Sequence, residues 1–489
     1  MLFAARLALL FAVVLAATVP AARADDLTTL FDRMRARSGP VWRTHLTSSS
    51  IIAYGHDTTA VRSESLGLRF STYECAGNLC DGSYFDGERI YAININGTRL
   101  PQSDTNDPFL RGERVIASLM FLSPNFAKDG GTVTDAGTQA IDDIRYRVII
   151  VSDGDATPMR VFIDPKSDTV RYLQDLNADS TIEYRDYRQV DGGLYLPFSV
   201  MRNGEVLERY QARGITTDEF APPHGLVPSF SGKTAVVATN EYRSVPIFAC
   251  ELGGVKTNCL LDSGNSGLAI SDSLAKRLHT PLVGSFVVRG LGNYTTDVVR
   301  AGGLRLGNAT YGPANYVVLH DIEKFGYQVV LGADVFASTT IALDPVAHTI
   351  TFGAPIPASA SSVRLIFQNF VPVLTVRLGN LGTQLALDTG DDSTINLAYE
   401  FYSEHPNLFS VTEQRPVSGI GGTSTELIGT IPEIKVGDIS MTHQPIGTTT
   451  SLHGTAFGHL GAGFIEQFRV VIDYAGGAVY FTPTPAPSP

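Results

Sequence analysis

Cysteine and tryptophan are scarce, and no stretch of the chain is strongly basic. Four cysteines and one tryptophan stand among 489 residues. The cysteine spacings, C-x4-C for Cys75 and Cys80 and C-x8-C for Cys250 and Cys259, fit no common zinc pattern. No histidine pair sits beside them, so no metal is expected and the pairs read as two local disulfides, with free buried thiols as the alternative. Lys and Arg number 37 against 49 Asp and Glu, a net charge of −12. Without a dense Lys/Arg run, nucleic acid is not an expected partner. His-Glu-x-x-His, Gly-x-Ser-x-Gly and a nucleophilic Cys/His pairing are all missing. Gly232-Lys233-Thr234 lacks the earlier glycine of a phosphate loop, because position 227 holds Val227. No cofactor is implied.

Long apolar runs are also missing after residue 24, which argues against a membrane span. Residues 1–24 differ: Arg6, an apolar core from Leu7 to Val19, and Ala22-Arg23-Ala24 read as a cleaved secretory signal. An uncleaved anchor is the alternative, disfavoured because that core is shorter than the roughly 20 residues needed to span. Removing Arg6 and Arg23 takes the net charge to −14. A secreted or periplasmic location follows, and it permits disulfides.

What is present is mostly strand-like. The length suits about two to four domains. After the signal, Leu27, Leu30, Phe31 and Met34 share a helical face that Gly39-Pro40 ends. From there to about Gly214, period-two alternation punctuated by Asp-Gly, Gly-Gly and Asn-Gly predicts antiparallel hairpins. Residues 25–216 form this helix-plus-β domain and 217–239 a Pro/Gly/Ser-rich linker.

The rest is a repeat. "CLLDSGNSGLAI" around Asp262 and "LALDTGDDSTINL" around Asp388 align. So do Val245-Pro246 with Val371-Pro372, "VVRGLGN" with "PVSGIGG", and "GGLRLGNATY" with "PEIKVGDISM". "VVLGADVF" aligns with "GHLGAGFI", and "TIALDPVAHTITF" with "RVVIDYAGGAVYF". Six correspondences in one order define a tandem duplication, residues 240–354 and 370–483, joined by a linker at 355–369 and followed by a Pro-rich tail at 484–489. Cys250 and Cys259 flank the Gly253-Gly254 turn and should face each other across a hairpin. Val376 and Leu385 occupy those stations in the second copy.

This pattern resembles the retropepsin-like aspartic proteases of the pepsin/retropepsin clan, in their bacterial secreted form. The implied fold is mainly β: two tandem retropepsin-like barrel units in a pseudo-twofold, pepsin-like pair, preceded by the meander. That meander has a weak likeness to lipoprotein-carrier half-barrels. The resemblance implies that Asp262 and Asp388 form a catalytic dyad. Ser263, Gly264, Thr389 and Gly390 would support it, with the two hydroxyls bonding across to the opposite loop. Gly290-Leu291-Gly292 and Gly419-Ile420-Gly421 would be flap tips over substrate, with Gly332 and Gly461 beneath the loops. Two carboxyls about 3 Å apart share one proton and so act as acid and base together. Peptide or protein is the implied substrate.

Within that pattern, Asp391 is expected to point outward as a solvated turn residue and His459 to be structural. Tyr294, near the first tip, orients substrate or is an ordinary surface tyrosine. Asp344 and Asp473 are expected to be structural hairpin residues. The 17-residue connector from Ala354 to Phe370 is long enough for the copies to pair within a monomer, at up to roughly 3.3 Å per residue. Twin pairing between molecules is the rival. A catalytically silent peptide binder, or a lipid or lipoprotein carrier with an accessory protease-like half, are the rival functions. The N-terminal half is expected to be a prodomain-like partner or a substrate-recruiting module.

Overall fold

A computed structural model describes residues 26–54, 57–76, 79–102, 108–175, 181–214, 224–240, 245–289, 292–358, 360–449 and 458–484. The expected signal, the tip residues Gly290 and Leu291, and all but Thr484 of the tail lie outside the described residues.

The first helix, Leu27–Ser38, ends at Gly39, whose φ of 67° suits glycine. It buries Leu30 and Met34, with Leu27 and Phe31 packed alongside, the face its spacing predicts. Thirteen antiparallel strands follow in a meander whose first long strand, Leu46–Tyr54, pairs with its last, Glu205–Gly214. Asn203 and Gly204 both take positive φ (48° and 84°), the type I′ geometry that joins twisted strands by two residues. The second helix, Pro108–Ala117, joins the first in one apolar cluster with Val161, Ile163 and Leu173, so the helices cover a sheet face. At one edge of this sheet lies Arg99–Pro101.

In the C-terminal half the two copies share a sheet. The shared run is Ala235–Asn240, Thr349–Phe352, Ile341–Asp344, Phe468–Asp473, Ala478–Pro483 and Ser361–Arg364. Three strands from the first copy thus meet three from the second, and the order mirrors about the centre. The junction pairs Ile341 with Ile472, Ala342 with Val471 and Leu343 with Val470. The terminal hairpins expected from the repeat are the inner strands of this run. Asp344 Oδ1 accepts from the N–H groups of Val346 and Ala347, and Asp473 Oδ1 from that of Gly476, so both acids cap turns.

Two linker boundaries change. Ala235–Asn240 belongs to the shared sheet, where the sequence predicts a linker running to 239. Ser361–Arg364 and Ile366–Gln368 are strands within the expected second linker. Pro, Gly and Ser around them hide short strands whose apolar residues, Ala235, Val363 and Phe367, are buried.

Both cysteine pairs are bonded. Cys75 and Cys80 lie directly opposite one another. Cys250 and Cys259 do not: Cys250 faces Thr257 and Cys259 faces Phe248, so the bridge runs diagonally across a Cα separation of 5.8 Å. Val376 and Leu385 are diagonal too, opposite Thr383 and Leu374.

The N-terminal half docks on the first copy through its Asn94–Thr98 turn. Asn94 Oδ1 accepts from the N–H groups of Asn96 and Thr98, which pre-shapes the turn. Asn94 Nδ2, Asn96 Nδ2 and Thr98 Oγ1 all donate to the buried carboxylate of Asp334, the first two at 2.8 Å. Ala92 and Leu100 join the apolar core of the C-terminal half.

Candidate active site

Each acidic loop follows a strand whose last three residues are buried, Val255–Leu261 or Leu381–Leu387, and is pinned at once from beneath. The Asp262 N–H donates to Leu331 O and the Asp388 N–H to Leu460 O, both at 2.9 Å. Gly332 and Gly461 carry the next backbone contacts. A Cβ on Gly332 would lie 2.2 Å from Asn265 O, and one on Gly461 2.2 Å from Ser393 O, so neither station admits a side chain.

The loops interlock through reciprocal hydrogen bonds. Ser263 N–H donates to Thr389 Oγ1 (2.9 Å) and Thr389 N–H to Ser263 Oγ (3.0 Å). Each hydroxyl then donates onward to the carbonyl before the opposite acid, Ser263 to Leu387 O (2.5 Å) and Thr389 to Leu261 O (2.7 Å). All four groups are buried, so leaving any one unmade carries the full desolvation cost of a polar group. Gly264 and Gly390 each donate an N–H to their own aspartate at 2.9 Å. Neither needs positive φ. They are glycine because a Cβ on Gly264 would sit 2.5 Å from Asp388 Cγ, and one on Gly390 2.5 Å from Asp262 Cγ. The two carboxyls therefore meet within hydrogen-bonding reach of each other.

Burial pushes Asp262 well above the usual carboxylate range, and the charge of Asp388 beside it pushes further. Burial raises Asp388 as well, while His459 pulls it back. The pair therefore carries a proton at a pH where isolated carboxyls would both be ionised.

One expectation is corrected here: Asp391 turns inward, toward His459. His459 Nδ1 lies 3.3 Å from Oδ2 of both Asp388 and Asp391. The turn holds Asp391 in place, its Oδ1 accepting the Ser393 N–H, so Oδ2 faces the imidazole instead of water. These three residues also have the composition and mutual spacing of a metal site, with ligand atoms within 4.8 Å of one another. Mutual charge neutralisation accounts for the cluster without a metal.

The flap hairpins, Leu282–Arg289 with Asn293–Ala301 and Glu413–Gly419 with Gly422–Val436, meet tip to tip. A Cβ on Gly292 would fall 2.4 Å from Gly421 O. Ile420 packs on the first copy's cluster around Val288 and Tyr327. Tyr294 belongs to the same cluster, half-buried, with its ring 5.6 Å from that of His320.

Sequence reasoning missed Asp334 and its three donors. The one available signal was the copy alignment, where Asp334 stands opposite Gly463 in otherwise similar segments.

With this geometry in view, residues 248–335 match a family described as aspartyl protease. The matched segment holds Asp262, Gly264, Gly292 and Gly332. Asp388 lies beyond the matched residues and joins the site through the contacts described above. No curated protein matches the chain. Among the described residues no helix is long and apolar enough to cross a membrane.

Proposed function

We propose that the protein is an exported aspartic endopeptidase in which Asp262 and Asp388 activate one water against a peptide bond. The observation that carries this reading is mutual: each loop's glycine makes room for the other loop's carboxyl. One proton shared by two carboxyls supplies a base and an acid together. The ionised member takes a proton from water as its oxygen bonds to the carbonyl carbon. The protonated member gives its proton to the carbonyl oxygen. In the collapse of the tetrahedral intermediate the C–N bond breaks, the nitrogen takes the proton held by the base, and the hydroxyl returns its proton to the acid. The net change is hydrolysis, with no covalent enzyme adduct. The touching tips suit closure over an extended peptide added as a strand. Pairing within one chain makes the monomer a complete unit, and the bonded cysteines suit an oxidising compartment.

The test incubates residues 25–489 with a diverse peptide pool from acidic to neutral pH, beside Asp262→Asn and Asp388→Asn. Cleavage should form a bell in pH and fall by at least about 10³-fold in either variant. Cleavage unchanged by both substitutions defeats the reading. No cleavage by the wild type, together with retained peptide binding, would make the protein a silent binder.

A further inference from the structure

The two loops differ at two stations that touch. Three residues after the acid, the first copy has Asn265 and the second Asp391. On the strand beneath, Val330 lies beside Leu260 in the first copy, and His459 lies beside Ala386 in the second. Val330 is fully buried core. A neutral amide and an apolar side chain are thus exchanged together for an acid and a base, in one copy only. The imidazole they introduce is equidistant from Asp391 and the dyad's Asp388.

Building on the protease reading, we propose that the Asp391–His459 pair is a positioning device that fixes the shared proton, keeping Asp388 ionised as the base and Asp262 protonated as the acid. A dyad with twofold-equivalent surroundings has no means of choosing. Here a cation stands beside one member, and the backbone-anchored Asp391 keeps that cation in place.

The surrounding charges are consistent with this division. Burial works against a charged imidazole, yet the hydrogen bond to Asp391 and the charges of Asp388, Asp391 and Asp262 raise His459 to about 9. Burial would raise Asp391, but His459 overrides it and holds Asp391 low. Tyr327 and Tyr474 also face the dyad, and both are raised by burial, so they stay neutral throughout. Farther out, Asp392 lies near the Arg415–Glu426 pair on the second flap (2.8 Å). The local field on Asp388 is therefore set by His459 against Asp391.

The signs make the idea testable. His459→Gln leaves Asp391 uncompensated, which disfavours ionisation of the dyad, so both limbs of the kcat/KM profile should move to higher pH. Asp391→Asn leaves the cation unopposed, so both limbs should move to lower pH. Each shift should be about one pH unit or more, as charges this close give. His459→Val with Asp391→Asn rebuilds the first copy's pair and should bring the profile back between the two. Imidazole NMR of the intact wild type, assigned with His459→Gln, should show one histidine titrating above pH 8, and in Asp391→Asn that titration should fall.

Shifts in the same direction, unshifted profiles, or a His459 titrating near the ordinary value of about 6.5 overturn the proposal. That failure is distinct from failure of the protease reading, in which Asp262→Asn and Asp388→Asn leave turnover untouched. Should the wild type show no turnover, the NMR titration still decides the ion pair.

Discussion

At the scale of single residues, the site is governed by groups that have no room to move. Thr389 is an example: fully buried, it accepts the Ser263 N–H and donates to Leu261 O. Thr389→Val keeps the shape, removes both bonds and strands two buried partners, so urea unfolding should show a loss of about 2–4 kcal/mol. Thr389→Ser should cost less than about 1 kcal/mol, because Ser263 does the same work in the first copy. Equal losses in the two variants would mean that packing, and not the hydroxyl, holds the loops together. Residues of this kind were legible because a duplicated chain states its pattern twice. Asp391 and His459 are visible in the sequence as departures from that pattern, each at its own station. Their meaning lies in the pair, and nothing in a linear sequence says that positions 391 and 459 touch.

At the scale of elements, turn chemistry carried much of the fold. Gly253-Gly254, Gly307 and Gly437 close hairpins at positive φ, as Gly-containing turns between alternating runs predict. The shared sheet was harder to see. Its outer strands are four to six residues long and embedded in Pro- and Ser-rich sequence, and their pairing is with distant partners. The flap tips offer an element-scale experiment. Gly292 has no positive φ to protect, so Gly292→Ala adds only a methyl against the Gly421 carbonyl. Stability should stay within about 0.5 kcal/mol, as for surface substitutions. The tips could then no longer close as they do here, and kcat/KM should fall by about ten- to a hundredfold, as for misplaced substrate. Unchanged steady-state kinetics would show that tip contact plays no part in turnover.

At the scale of the whole molecule, the N-terminal half is built into the C-terminal half and not merely tethered to it. It reaches the first acidic loop, where Asn94 Nδ2 also donates to Ser266 O (3.1 Å). Asp334 is wholly buried, and burial pushes its carboxyl up while the hydrogen bonds from Thr98, Asn94 and Asn96 hold it down. Those donors come from more than 230 residues away in sequence. Taking them away would leave an uncompensated acid two residues from Gly332, the glycine that packs under the Asp262 loop. The second copy, with Gly463 at that station, has no such dependence. A double-mutant cycle on the intact chain measures the link. Asn96→Ala alone should destabilise by about 1–3 kcal/mol and lower kcat/KM, because the carboxylate loses a donor in a dry site. In an Asp334→Gly background the same substitution should cost less, the remainder being the bonds Asn96 makes with Asn315, giving a coupling energy of about 0.5–3 kcal/mol. Strict additivity, with activity indifferent to Asn96, would reduce the N-terminal half to a passenger on the fold.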